Sequence, residues 1–217
     1  MSPAPTTPAS AGPASGSGAR RRLPLPAVLV TIAVIAVLLL VADQATKNWA
    51  VANLPELEPQ PFLGEFLQLT LLYNSGAAWG LGSGITPVVT VLQILISIGV
   101  IVFAVAAVRS PWYAAALGLI LGGALGNVHD RLLREPGPFR GEVVDFLELP
   151  NWPVFNIADM AVVGGAILVV LLSVIGLPSD PAQVEAEKSE DAERPEAAQT
   201  PENGEEPADP EADEAQS

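Results

Sequence analysis

The sequence predicts an all-α polytopic membrane protein, with four transmembrane helices and a short stretch of strand at the outer face. Three observations carry that prediction. Half of the 217 residues are apolar, and the mean hydropathy of +0.41 is too high for an ordinary soluble domain of this length. Four uncharged runs reach or approach the ~20 residues that a helix needs to cross a ~30 Å hydrocarbon core. The acidity is confined: of a net charge of −14, most lies from Ser179 onward, where 14 of the 24 acids but only 2 of the 10 basic residues are found.

Taken in order, residues 1–22 form an N-terminal arm whose positions 2–19 contain only Ser, Pro, Ala, Thr and Gly. That composition buries too little apolar surface to offset its ordering entropy, so the arm is expected to be disordered. Arg20, Arg21 and Arg22 then precede the first span, residues 23–42. A secretory signal shares this order of basic and apolar segments, but its apolar core is usually about 7–15 residues long. The run here is 20 residues and three more follow, at 85–108, 111–128 and 160–177. Residues 23–177 are therefore the membrane body. Four spans return the chain to its starting side, and the triple arginine together with Arg109 in the link between spans two and three marks that side as cytoplasmic. Lys47, Arg131, Arg134 and Arg140 then fall on the outer side and need a partner or a purpose. Between spans one and two, residues 65–73 alternate, with Leu67, Leu69, Leu71 and Tyr73 on one face, which predicts a strand running into the turn Asn74-Ser75-Gly76. Residues 178–217, rich in Pro, Ala and Glu, are expected to be a disordered acidic tail on the cytoplasmic side.

Composition removes several function classes. The chain has no cysteine and one histidine. Thiolate nucleophiles, iron–sulfur clusters and the usual zinc ligand sets are excluded, so no metal or cofactor is expected and any catalysis uses oxygen or nitrogen groups. The body's basic residues are scattered and form no stripe that could track phosphates, so nucleic acid is not an expected partner.

The polar residues that remain gather at the outer ends of the spans. Asp43 and Lys47 are spaced i,i+4 where the first span runs out, either as a helix-end pair with a snorkelling lysine or as part of a site. In the third span Gly118, Gly122 and Gly126 recur every four residues, a stripe for close helix packing. Beside it Gly123, Asn127 and Arg131 share a second ridge, placing an amide and a guanidinium where the helix leaves the membrane. His129 adjoins Asp130, but neighbours at i,i+1 do not face each other on a helix, so the pair carries little weight.

Two carboxylates stand in unusual settings. Asp145 lies in Val143-Val144-Asp145-Phe146, a β-branched and apolar context unsuited to a solvated loop acid. Asp159 lies in Phe155-Asn156-Ile157-Ala158-Asp159 at the mouth of the fourth span, where Asn156 and Asp159 also fit a capping box. Two carboxylates brought together in a low-dielectric site share one proton, so that one is base and the other acid. Such a pair hydrolyses peptides without a metal; it equally suits a proton- or cation-coupled carrier. A non-catalytic scaffold would need neither acid.

Taken together, Asp43-Gln44-Ala45-Thr46-Lys47, Asn74-Ser75-Gly76-Ala77-Ala78-Trp79-Gly80, Gly122-Gly123-Ala124-Leu125-Gly126-Asn127-Val128-His129-Asp130-Arg131-Leu132, Val143-Val144-Asp145-Phe146 and Phe155-Asn156-Ile157-Ala158-Asp159 resemble the lipoprotein signal peptidase (signal peptidase II) family. The resemblance covers about residues 24–177. It implies a multi-pass aspartyl endopeptidase of the bacterial cytoplasmic (inner) membrane, with a small extracytoplasmic β cradle and its active site at the outer face. Its implied partners are membrane lipid and prolipoproteins, which it would cut before the diacylglyceryl-modified cysteine. By motif, Asp145 and Asp159 correspond to the family's catalytic pair. Asp43, Lys47, Asn74, Gly76, Ala77, Gly123, Asn127, Arg131, Phe155, Asn156 and Ala158 match its other characteristic positions, with implied roles in substrate contact and in positioning the pair. The loop 135–140, Glu-Pro-Gly-Pro-Phe-Arg, is longer than the family leads one to expect.

Overall fold

The computed structural model describes residues 22–76, 83–183 and 186. The arm up to residue 21, Ala77 and the tail beyond residue 186 lie outside the described residues. Among the described residues, four helices are long and apolar enough to cross a membrane: α1 Leu25–Asn53, α2 Thr86–Ala107, α3 Pro111–Leu133 and α4 Ile157–Val174. Between α1 and α2 lie β1 Gln60–Leu63 and β2 Leu67–Asn74, and between α3 and α4 lies β3 Val143–Glu148. The strands form an antiparallel sheet in the order β1-β2-β3.

Proline and glycine punctuate the helices. Leu54 precedes Pro55 and is extended at φ −105°, ψ 135°, which ends α1. Ser110 is likewise extended before Pro111, which opens α3 at a position that needs no amide donor. Beyond α4, Gly176 takes φ +68°, and the Leu177 and Gly176 amides bond back to the Leu172 and Ser173 carbonyls, a Schellman ending.

Helix α3 is the least apolar span and the most enclosed, with 67% of its most apolar window buried, against 17–22% for the other three. Enclosure by protein is what allows this span to be glycine-rich and polar at one end. A Cβ on Gly118 would strike Ile35, and one on Gly122 would meet Ala36 at 2.9 Å, so the predicted small-residue stripe seats α3 against α1. Gly165 of α4 approaches Ala116 and Ile120 on the other side. Apolar side chains on the outward faces, among them Leu38, Val88, Val102 and Val170, are exposed, the surface a bilayer would cover.

Three segments depart from or extend beyond their sequence limits. Helix α1 continues past the apolar run 23–42 to Asn53, carrying Asp43 and Lys47 on one face as their i,i+4 spacing implies, its polar turn buried against α3. Strand β2 begins at Leu67 rather than at 65, because residues 64–66 make the hairpin turn, with Gly64 at φ +62°. Along β2, Leu69, Leu71 and Tyr73 do share the inner face, packing on Ala50, Val144 and Phe146. Residues 179 and 180, expected to lie in the tail, bond to the bundle. Arg109 and Ser110 each donate a backbone hydrogen bond to the Ser179 carbonyl at 2.8 Å, and Arg22 grips Asp180 through two bonds of 2.9 and 3.0 Å.

With the Leu23 amide bonded to the Arg109 carbonyl, these contacts clasp the start of α1, the α2–α3 link and the end of α4 at one end of the bundle, as an up-down-up-down topology requires. A chain ending at residue 178 loses the clasp. It is expected to melt a few degrees below a chain ending at residue 186 when thermal unfolding is followed in detergent; identical melting would show that the clasp contributes nothing.

Candidate active site

At the opposite end of the bundle, the C-terminal turns of α1 and α3, the start of α4 and the sheet enclose a polar cluster. Lys47 is fully buried, and its Nζ lies 2.8 Å from Asp43 Oδ2 and 2.8 Å from Asp130 Oδ2. It is therefore not a snorkelling lysine. Asp130 also accepts from Arg134 Nε at 2.8 Å, Gln44 Nε2 at 3.1 Å and the Val144 amide at 3.3 Å, joining α1, α3 and β3 at one carboxylate. Asp43 Oδ1 accepts the Ala158 amide at 3.0 Å in the first turn of α4. The close approach this needs explains Gly126, where a Cβ would lie 2.6 Å from Asp43 Oδ2. Gly123 in turn leaves room for the Ala158 carbonyl and Val162.

From this base asparagines reach the two candidate catalytic acids. Lys47 donates to Asn127 Oδ1 at 2.9 Å, and Asn127 Nδ2 donates to Asp159 Oδ1 at 2.8 Å. Asn156 Nδ2 donates to Asp145 Oδ1 at 2.6 Å, and Asn74 Nδ2 donates to Asp145 Oδ2 at 2.8 Å. The capping box also forms: the Asp159 amide donates to Asn156 Oδ1 at 3.0 Å, and the Asn156 amide donates to Asp159 Oδ2 at 3.2 Å. Capping and site geometry coexist, because one Asp159 oxygen caps α4 while the other takes the Asn127 amide. Asn156 thus ties the two acids together, its side chain holding one and its backbone the other.

Asp145 and Asp159 line one cleft of about 320 Å³, together with Asn74, Gly76, Asn127, Arg131 and Phe155 of the predicted set. Burial pushes the Asp145 carboxyl up to about 7; the nearby Asp159 carboxylate adds to the rise, and the amides of Asn74 and Asn156 oppose it. Phe155 secures the cleft wall by pairing its backbone with Leu147 of β3. Arg131 Nη1 donates to the Asn74 carbonyl at 2.7 Å and to the Gly141 carbonyl at 3.0 Å, so one edge of its fork is held by the chain itself. Gly76, at φ +102°, passes 3.2 Å from Arg131 Nη2 when given a Cβ, which accounts for glycine there. Arg131→Lys keeps the charge but cannot bridge both carbonyls; it should lower activity about tenfold or more in a cleavage assay. Unchanged activity would show that the strap is dispensable.

Sequence reasoning brought these residues to one place but gave Asp130 no role. It weighed Asp130 only against His129, whose Nδ1 lies 3.6 Å away, beyond hydrogen-bond reach. The i,i+4 spacing of Asp130 and Arg134 was the available signal. Arg134 also reaches Asn48 Oδ1 at 3.0 Å. The long loop 135–140 is closed at its base by the Glu142 amide on the Glu135 carbonyl, and the Phe139 carbonyl accepts Thr90 Oγ1 of α2 at 3.1 Å.

A four-helix membrane bundle with acids and amides converging on a cleft at one end defines a class: a polytopic membrane protein with a polar cleft at one end of its bundle. The family model for signal peptidase (SPase) II matches residues 35–175. The chain belongs to the signal peptidase II family. It is 46% identical over 159 residues to a lipoprotein signal peptidase of Mycobacterium avium (strain 104), covering 72% of this chain and 87% of that protein. It is 45% identical over 155 residues to the lipoprotein signal peptidase of Rhodococcus jostii (strain RHA1), covering 71% and 78%. The fold is similar to that of a bacterial membrane enzyme solved by the in meso method at 2.3 Å, with TM-score 0.61 and 29% identity over 71% of this chain and 92% of that one. The carrier alternative finds no support in these relatives.

Proposed function

We propose that this protein is an aspartyl endopeptidase that removes signal peptides from prolipoproteins, cutting before the diacylglyceryl-modified cysteine. Its family and its relatives' activity support the peptidase; one observation supports the aspartyl type. Two carboxylates from different elements share a cleft, each held by asparagine amides, and one of them is shifted up to about 7. At pH below that value Asp145 holds the shared proton and Asp159 is the base. Asp159 takes a proton from water, the resulting hydroxide attacks the scissile carbonyl, and Asp145 donates to the carbonyl oxygen. On collapse of the tetrahedral intermediate the C–N bond breaks, the proton on Asp159 passes to the leaving amine, and a hydroxyl proton of the intermediate returns to Asp145, which re-forms the carbonyl and restores the pair. Asn74, Asn127 and Asn156 hold the two carboxyl groups at fixed orientations throughout, so little reorganisation accompanies each transfer.

Lipid supplies the delivery. Each buried CH₂ of an acyl chain contributes ~0.8 kcal/mol to membrane association, so a diacylglyceryl group concentrates the modified cysteine in the plane of the cleft. The test is incubation of the purified protein with a matched pair of prolipoprotein peptides, with and without the diacylglyceryl group. Cleavage of the lipidated peptide alone is expected. Equal cleavage of both defeats lipid delivery, and cleavage of neither defeats the function. The same reading puts both termini in the cytoplasm and the cleft outside: a reporter fused after residue 186 should read cytoplasmic, and one inserted within residues 136–138 external. The opposite pair inverts the topology.

A further inference from the structure

Helix α2 is uncharged, and Gln93 is its one side-chain amide. Val89 and Gln93, spaced i,i+4 on one helix face, both line the cleft that holds Asp145 and Asp159. Gln93 Oε1 is buried and has no hydrogen-bond partner. Gln93 lies seven residues into α2 from Thr86, about 10 Å along the helix axis and away from the polar cluster. A buried acceptor without a donor costs about 1–3 kcal/mol. The buried hydroxyl side chains of this helix avoid that cost: Thr90 donates to the Thr86 carbonyl at 2.9 Å, Ser97 to the Gln93 carbonyl at 2.8 Å, and Thr86 to the Ser75 carbonyl. The Gln93 side chain has no such bond.

We infer that Gln93 is a substrate-binding residue, its side-chain oxygen accepting a main-chain N–H of the signal peptide on the membrane side of the scissile bond. The inference rests on the proposed peptidase function. A spanning signal peptide satisfies its own amides while helical, but a peptide bond presented to two carboxylates must be extended, and the residues just before it then carry free N–H groups. In the hydrocarbon region those groups have no water to bond. Gln93 lines the same cleft as the two carboxylates with its side-chain oxygen unpaired, and the bond would satisfy both partners. It selects for an unwound backbone rather than for a side chain, as suits an enzyme with many substrates.

The experiment pairs Gln93→Leu with a scan of lipidated substrates in which single peptide bonds before the cleavage site are replaced by esters, removing one N–H each. Gln93→Leu should raise KM on the order of tenfold with kcat within about twofold, and melt no lower than wild type, since it removes an unpaired acceptor from an apolar helix. One ester position should cost wild type a similar factor and cost Gln93→Leu nothing further. A lowered melting point with unchanged KM makes Gln93 structural and overturns the inference. So does an ester scan that affects both proteins alike. If wild type cleaves while Gln93→Leu matches it throughout, only this inference falls; if wild type cleaves no lipidated substrate, the peptidase reading falls and takes the inference with it.

Discussion

Asp145→Asn and Asp159→Asn are each expected to lower cleavage of a lipidated prolipoprotein by roughly 10²–10⁴-fold, with insertion and yield nearly unchanged. An amide keeps the shape of the carboxyl but cannot take a proton from water or pass one to the leaving amine. Near wild-type turnover by either variant would remove that residue from the pair. Asp145→Asn also has a signature independent of activity. Because the folded protein holds the Asp145 proton up to about 7, against 3.8 for the ordinary group, the folded state binds more protons than the unfolded chain between those values. Wild type therefore loses stability as pH rises through that window, and the loss is complete above it. Asparagine does not titrate, but it presents one acceptor to the two donors of Asn74 and Asn156, a cost that is constant with pH. The melting temperature of Asp145→Asn relative to wild type should thus climb steadily from pH 4 to pH 7 in detergent. A flat difference would mean that the carboxyl is not perturbed.

Lys47→Met should be the most destabilising substitution in the membrane body. It removes the cation between Asp43 and Asp130, both of them almost fully buried. Breaking a buried pair from one side typically costs about 3–5 kcal/mol, because the remaining charges stay buried. Low yield or a sharply lowered melting temperature is expected, with partial recovery on adding Asp43→Asn. Recovered protein should remain poorly active, since Asn127 loses the Lys47 bond that turns its amide toward Asp159. A stable, active Lys47→Met would show that the network neither holds the fold nor orients the site.

Much of this was legible from the linear pattern. Four apolar runs mark four spans because the bilayer sets a length that no loop or soluble core imposes. The glycine stripe at 118, 122 and 126 predicted close packing of α3, since every fourth residue shares a helix face. Asp145 stood out because a carboxylate among Val143, Val144 and Phe146 is out of place unless buried for a purpose. The capping box at Asn156 and Asp159 was readable too, being local in sequence.

Long-range partnership was not readable. The same sequence allowed Lys47 to snorkel or to be buried, and only the approach of α3 decides, by setting Asp130 2.8 Å from its ammonium. Asp130 itself looked inert because, Arg134 apart, its partners lie on α1 and β3, 14 to 86 residues away. Residues 179 and 180 hold to the bundle because the Ser179 carbonyl and the Asp180 side chain bond to residues 69 to 158 positions away. Gln93 was hidden inside a run that reads simply as apolar. Span length, helix periodicity and capping depend on neighbours within a few residues, so the sequence by itself determined the spans, the stripe and the two acids. Which charge is buried, which amide points at which carboxylate and which polar atom is left unpaired depend on packing between distant segments, and only the tertiary structure decided them.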